Sequence, residues 1–276
     1  MTSQTLHAFG ASLRYEFRMQ VRKRSVWIVP ALTLVLFVLI GGSLLRDLFD
    51  PNERPAEART AVAVLAVQIH ALLSIGFGCL LADRLVRDER LRVAPILDAT
   101  PADPRARLLG KYLGASAATA IPIVIAYLGF TVAYAVHSGA PSALGWALAT
   151  CGVVILPGLL FVAAFALAVP LVVPAPLFRV LFVGYWLWGN LVPPDMMPTL
   201  ARTLVHPLGG YPLVALLDFH GIDGDESMAG PVAGATLNFL RPDPTPAIAW
   251  LSIGVLLALS AAALAGGHTL RVRRAR

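Results

Sequence analysis

The sequence predicts an all-α integral membrane protein with six transmembrane helices, and three observations support that prediction. Apolar residues make up 57% of the 276 residues and charged residues only 14%, against roughly 45–50% and 25% in soluble domains. The apolar residues form long runs, and a helix needs about 20 of them in a row to cross a bilayer. Most of the 22 Lys and Arg residues lie in alternate connections between the runs. Composition therefore excludes a soluble enzyme and a disordered chain.

The apolar runs define the spans in order along the chain. The predicted spans are residues 26–45, 60–82, 112–136, 144–173, 177–192 and 247–267. The fourth and fifth are separated only by Pro174, Ala175 and Pro176. Because proline breaks a helix and the combined run is too long for one crossing, we expect a helical hairpin there.

The placement of the charges predicts the orientation. Basic residues concentrate in residues 1–25, in the loop 83–111 and after residue 267, whereas acidic residues favour the other connections. The positive-inside rule then places both termini and the 83–111 loop in the cytoplasm. The net charge of +6 is explained by this topology and by contact with membrane lipids, so no nucleic-acid partner is predicted.

The extracytoplasmic loop 193–246 contains an apolar stretch, 204–217, that is too short to cross a membrane and is broken by Pro207 and Pro212. We expect it to be a re-entrant or interfacial segment between the fifth and sixth spans. An acidic cluster follows, at residues 218–226. It could bind a cation, but its order does not match an EF-hand, which favours an ordinary acidic turn.

Residues 1–25 are predicted to form an amphipathic interfacial helix. Apolar residues recur there at spacings of three and four, namely Leu6, Phe9, Leu13, Phe17 and Val21, and arginines flank them. Such a helix lies at the membrane surface with its apolar side in the acyl boundary. It is either a lipid anchor or an elbow that transmits movement into the first span, and the spacing does not separate the two.

The 83–111 loop begins as a charged helical extension of the second span and is then turned by prolines. A solvated loop is one interpretation, but interleaved charges of both signs on a rigid, turned element favour contact with a protein partner. The candidate contact residues are Arg84, Arg87, Asp88, Glu89, Arg90, Thr100 and Pro101.

No motif for catalysis or metal binding is found. Gly110-Lys111 is followed by Tyr112 and lacks the upstream glycine of a Walker A loop. The histidines have no ligand spacing, and no Asp or Glu lies at membrane depth, which weakens the secondary-transporter and intramembrane-protease interpretations. Gln68 and His70 either face a polar path or bond to a neighbouring helix.

The order of these parts resembles the membrane permease subunit of type-2 ABC transporters, which export drugs, antibiotics and polysaccharides. The resemblance lies in residues 13–18, LRYEFR, and in residues 87–114, where Thr100-Pro101 and Gly110-Lys111 match the steps that precede the third span. The re-entrant outer segment also fits this family.

The resemblance implies a half-transporter in the bacterial cytoplasmic membrane that pairs with a second permease copy or a paralogue. Two cytoplasmic ABC ATPase subunits would dock on the 83–111 loop and bind ATP and Mg²⁺, and no cofactor would be bound by this chain. The resemblance also implies two sets of functional residues. The elbow helix would use Arg14, Glu16, Phe17 and Arg18, and the substrate path between the two permeases, lined by the second and fifth spans, would include Gln68, His70 and Asn190.

Two other functions remain open. One is a stand-alone secondary carrier or channel, and the other is a membrane transmitter that couples an ATPase to an outer event without moving a substrate. The exporter interpretation is preferred because the chain has neither a nucleotide site nor an ion-coupling carboxylate, so another chain must supply the energy.

Overall fold

The computed structural model describes residues 3–40, 42–50, 57–87, 91, 103–221 and 228–274. Over this part of the chain the fold is all-α, as predicted, and contains no strand. The helices, in chain order, are α1 Ser3–Val21, α2 Arg24–Ile40, α3 Gly42–Phe49, α4 Ala58–Leu81, α5 Pro104–Ser138, α6 Ser142–Leu171, α7 Ala175–Leu191, α8 Gly210–Leu217 and α9 Pro246–Arg274.

Within the described residues, four helices are long and apolar enough to cross a membrane: α4, α5, α6 and α9. The helices α2 and α7 have 17 residues each, which corresponds to about 25 Å at 1.5 Å per residue. The helix α7 lies at the lower limit of the length of a span, and the described part of α2 ends at residue 40 because residue 41 lies outside the described residues. Four spans therefore follow from length and composition, and the first and fifth predicted spans remain a prediction.

The helix α5 begins earlier than the predicted third span. Asp103 caps it by accepting a hydrogen bond from the Arg105 backbone N–H at 2.9 Å, and Pro104 occupies the first helical position, where its missing N–H costs nothing. Residues 104–111, which we expected in the loop, are thus the first two turns of α5. The helix ends at Gly139, whose φ of 66° allows the left-handed cap.

Of the first predicted span, 26–45, residues 26–40 lie in α2 and residues 42–45 lie in α3, and residue 41 lies outside the described residues. The fourth and fifth runs form separate helices, α6 and α7, with the break at Pro174. Within α6 a π-helical turn, Cys151–Ile155, directly precedes Pro157. Such a turn is a common response to a proline inside a helix, because it shifts the register past the residue that lacks an N–H.

The helix α4 lies at the centre of the bundle, and α2, α5, α6 and α7 all pack against it. Two glycines on α4 permit close approaches by α2 and α7. A Cβ on Gly76 would lie 2.9 Å from Val29 Cγ1 of α2, and a Cβ on Gly78 would overlap the Phe182 ring of α7. Small residues let neighbouring helices pack closely in a membrane, so α2 and α7 are both held against α4 near its C-terminal end.

The outer segment folds back onto the helical bundle. Its short helix α8 packs on α9, and the Ser252 hydroxyl of α9 donates a hydrogen bond to the Leu204 carbonyl at 2.8 Å. Gly209, with a φ of 70°, starts α8 in the left-handed conformation that glycine adopts without strain. The re-entrant position of this segment in the bilayer remains a prediction.

Candidate functional site

The helix α1 docks on the first turns of α5 through two glycines. A Cβ on Gly110 would lie 2.7 Å from the Phe9 carbonyl oxygen, and one on Gly114 would lie 2.5 Å from the Leu13 carbonyl oxygen. The Ser12 hydroxyl also donates a hydrogen bond to the Arg107 carbonyl at 3.1 Å. Because Gly110 and Gly114 lie one helical turn apart, they form a small-residue seam that lets the two backbones touch.

A buried ion-pair cluster joins α1 to two other elements. Arg84, directly after α4, donates through Nη2 to Glu16 Oε2 at 2.5 Å, and Lys111 Nζ of α5 lies 3.7 Å from Glu16 Oε1. Glu16 is 4% exposed and Arg84 is 5% exposed. A buried charge is tolerated when it is paired, and removing one partner costs several kcal/mol. We call Glu16, Arg84 and Lys111 the junction.

The other predicted elbow residues lie outside the junction. Arg14 and Arg18 are exposed and Phe17 is half-buried. The buried residues of α1 are Glu16 and Gln20, whereas the predicted apolar stripe is half-buried except for Leu6, which is 54% exposed. Tertiary contacts explain this difference, because the ion pairs and the glycine seam determine which face of α1 meets the bundle.

Of the predicted contact residues in the 83–111 loop, Arg84 is buried and Arg87 is exposed. Past α4, the Arg87 N–H donates to the Asp83 carbonyl at 3.0 Å, and the Leu91 N–H donates to the Arg87 carbonyl at 2.9 Å. The remaining candidates lie outside the described residues, namely Asp88, Glu89, Arg90, Thr100 and Pro101.

A basic cavity of about 540 Å³ lies next to the junction, where α2 begins, α4 ends and α7 begins. It is lined by Lys23, Ser25, Val29, Cys79, Leu80, Asp83, Arg84, Arg87 and Arg179. Arg179 forms an ion pair with Asp83 and donates through Nε to the Cys79 carbonyl at 3.2 Å. Burial, with the charges of Arg84 and Arg87, lowers the pKa of Lys23 to about 8. The sequence analysis did not predict this cavity.

The structure does not bring together the three predicted path residues. His70 is fully buried; its Nε2 lies 3.2 Å from the Pro207 carbonyl oxygen and its Nδ1 lies 3.1 Å from the Ser74 hydroxyl. Because a carbonyl only accepts, Nε2–H donates to Pro207 and Ser74 donates to Nδ1. His70 therefore ties α4 to the outer segment, and its place in a substrate path stays a prediction.

Gln68 and Asn190 differ from His70. Gln68 is the one exposed residue of α4, a helix described in full. The helices α4 and α7 run antiparallel, with the Trp186 indole donating to the Ala71 carbonyl at 2.7 Å. Gln68 and Asn190 each lie about one turn beyond that contact, so they occupy the same level of the bundle. Asn190 Nδ2 donates to the Trp186 carbonyl at 2.8 Å.

The outer segment holds buried polar residues that the sequence analysis missed. Arg241 is 1% exposed and donates to the carbonyls of Ala201 and Thr199 at 3.1 and 2.8 Å. A lone arginine beside Pro242 gives no sign of this role in the sequence. The acidic cluster is only partly described: Asp218 pairs with Arg59 at 3.3 Å. Among the described residues, no group of His, Cys, Asp and Glu is placed to hold a metal ion.

Comparison with known proteins leaves the function to be argued from this geometry. The chain matches no protein-family model, and no curated protein matches it. The junction, the basic cavity and the exposed Gln68 are therefore the features on which a function can be based.

Proposed function

We propose that the chain is the permease subunit of an ATP-driven ABC exporter. The junction is the observation that carries this proposal. The segment expected to dock an ATPase runs from residue 83 to residue 111, and Glu16 binds Arg84 at one end of it and Lys111 at the other. A force on that segment would therefore move α1, α4 and α5 as one unit, because separating a buried ion pair costs several kcal/mol.

The proposed function divides the work between chains. Two cytoplasmic ABC ATPase subunits dock on the 83–111 segment and bind ATP and Mg²⁺, while this chain binds no cofactor and contributes half of the substrate path. The cargo is a drug, an antibiotic or another amphipathic compound. An apolar path with few fixed charges suits such a cargo better than a small ion.

Gln68 supports a pairing of two permeases. It lies in the middle of α4 and is exposed, whereas the rest of that helix is buried or half-buried. An amide facing lipid is unfavourable, so a second chain or a water-filled path is expected to cover it. In this proposal Gln68 and Asn190 line the path between this chain and a second permease copy or a paralogue.

In this proposal the chain crosses the membrane six times, and α2 and α7 are its first and fifth spans. An even number of crossings keeps the basic N-terminal segment and the basic tail on the same side, which the charge rule makes cytoplasmic. The membrane is the bacterial cytoplasmic membrane. The outer segment, including α8, then lies on the opposite side and dips toward the bilayer as a re-entrant element.

The proposal is tested by capturing the full-length chain from its native membranes. We expect a Walker A ATPase to co-purify, and the double reversal Asp88→Lys/Glu89→Lys to remove it. The matched control, Asp195→Lys/Asp243→Lys, makes the same change of charge at two exposed residues of the outer segment and should retain the ATPase.

The outcomes separate the candidate functions. Capture without an ATPase, or with an ATPase that both double variants retain, would contradict the proposal. Transport by the purified chain in liposomes with only an ion gradient would identify a secondary carrier instead. ATPase stimulation without the movement of any compound would identify a non-transporting transmitter.

A further inference from the structure

The basic cavity carries more positive charge than the described residues neutralise. Lys23, Arg84, Arg87 and Arg179 line it together with a single carboxylate, Asp83. That carboxylate is paired with Arg179. The lowered pKa of Lys23 has burial as its main cause and the charges of Arg84 and Arg87 as the next, which agrees with a surplus of positive charge.

Arg84 lines this cavity and has donors without a partner. Its Nη2 is bonded to Glu16, but its Nε and Nη1 are buried and have no hydrogen-bond partner in the described part of the chain. Arg84 is only 5% exposed. A buried guanidinium with unsatisfied donors is costly, and its planar fork matches the oxygens of a phosphate or carboxylate.

The place of the cavity suggests where its ligand comes from. The cavity lies where α2 begins, α4 ends and α7 begins, and its wall includes the apolar side chains of Val29 and Leu80. Farther along α2, Leu32 and Leu39 are 65% and 75% exposed. A ligand with an anionic head and apolar chains would satisfy both parts of this surface. Basic pockets between membrane helices are known sites for lipid head groups.

We propose that the basic cavity binds a phosphate group, supplied by the head group of an anionic phospholipid. Lys23 and Arg87 provide charge at its accessible side, and Arg84 donates through Nε and Nη1. The bound phosphate would complete the hydrogen bonding of Arg84 and so hold the junction in place. This inference does not depend on the proposed function, since it concerns the isolated chain.

The experiment measures the thermal unfolding midpoint of the purified full-length chain in detergent. The chain is titrated with dioctanoyl phosphatidylglycerol, with dioctanoyl phosphatidylcholine, and with inorganic phosphate at matched ionic strength. We expect phosphatidylglycerol to bind at least about tenfold more tightly than phosphatidylcholine, because only the first lipid carries a net negative charge.

The test variant is Lys23→Gln/Arg87→Gln, which leaves the Glu16–Arg84 pair intact. It should weaken the binding of phosphatidylglycerol by about tenfold, since each basic residue near an anionic head group contributes to binding. The matched control is Arg105→Gln/Arg273→Gln, which removes two exposed arginines that do not line the cavity. It should leave the binding unchanged.

Three results would overturn the proposal. Equal stabilisation by the two lipids would show that the head group is not recognised. An equal loss in the test and control variants would show that the cavity is not the site. Inorganic phosphate that matches phosphatidylglycerol, with the same loss in the test variant, would support a phosphate site but reject a lipid as its source.

Discussion

Glu16 is the residue on which the α1 end of the bundle depends. It lies in a helix that the sequence predicts at the membrane surface, yet it is nearly fully buried. It forms ion pairs with Arg84, which follows α4, and with Lys111 of α5. Its role is not visible in the local sequence, because Arg84 is 68 positions away. What the sequence does reveal is an acidic residue among arginines in the motif LRYEFR.

Replacing Glu16 by Gln is the direct test of that role. Glu16→Gln keeps the shape but leaves the Arg84 charge buried without its counter-charge, so we expect a loss of about 3 kcal/mol in the free energy of unfolding. Chemical denaturation in detergent measures it. The control Glu57→Gln removes an exposed carboxylate paired with Arg59 and should cost less than about 1 kcal/mol. Equal losses would mean that the junction has no special role.

Lys23 gives a pH-dependent prediction at the same scale. Its pKa of about 8 means that about half of its side chains are neutral at pH 8, whereas an ordinary lysine is almost fully charged there. Amine acylation at pH 8, followed by peptide mass analysis, should therefore modify Lys23 readily. Arg87→Gln removes a neighbouring like charge, which raises the Lys23 pKa and slows its modification by up to about twofold. Arg105→Gln should have no effect, and faster modification in Arg87→Gln would contradict this explanation.

At the scale of elements, the contact between α1 and α5 explains Gly110 and Gly114 in the third span. The sequence analysis noted Gly110-Lys111 only as a failed nucleotide motif and as part of a family resemblance. The structure gives it a physical reason, since the α1 backbone lies where side chains would otherwise be. The pattern of two glycines at a spacing of four was present in the sequence and could have indicated a close helix contact.

Substitutions of two glycines in α5 should have opposite effects. In Gly114→Ala the new Cβ would meet the Leu13 carbonyl and the Glu16 side chain, so we expect a loss of about 1–3 kcal/mol from overpacking. Faster hydrogen exchange in α1 should accompany it. In Gly129→Ala nothing lies within 4 Å of the new Cβ, so the better helix propensity of alanine should add up to about 1 kcal/mol. A change of the same sign in the free energy of unfolding of both variants would rule out the small-residue seam between α1 and α5.

Other elements show which parts of the fold can be predicted from sequence. Long apolar runs are local signals, and they predicted the helices α4, α5, α6 and α9 as membrane-length segments. The start of α5 was missed because the basic residues after Pro104 resemble a loop, although Asp103-Pro104 is a recognisable helix start. The hydrogen bond of His70 to the Pro207 carbonyl could not be predicted, because the two residues are 137 positions apart in the sequence. The basic cavity was missed for the same reason, since it draws residues from three distant segments.

At the scale of the whole molecule, the two ends of the helical bundle differ in the residues that they carry. One end holds the junction and the basic cavity, both made of charged residues close to the segment expected to contact an ATPase. The opposite end is covered by the outer segment, in which Arg241 donates to the Ala201 and Thr199 carbonyls. His70 ties this segment to α4 through the Pro207 carbonyl. Gln68 lies in the middle of α4, two residues from the point where His70 meets the outer segment. The proposed exporter requires that a change at the first end alters the surroundings of Gln68.

The most direct test of that requirement is the chemical labelling of Gln68→Cys, in a Cys79→Ser/Cys151→Ser background, in native membranes with and without ATP. We expect ATP to change the rate at which Gln68→Cys is labelled. The double variant Asp88→Lys/Glu89→Lys should abolish this change, because the ATPase no longer docks. Labelling of Leu257→Cys, an exposed position on α9, should not respond to ATP. A labelling rate at Gln68→Cys that is the same with and without ATP would contradict the account.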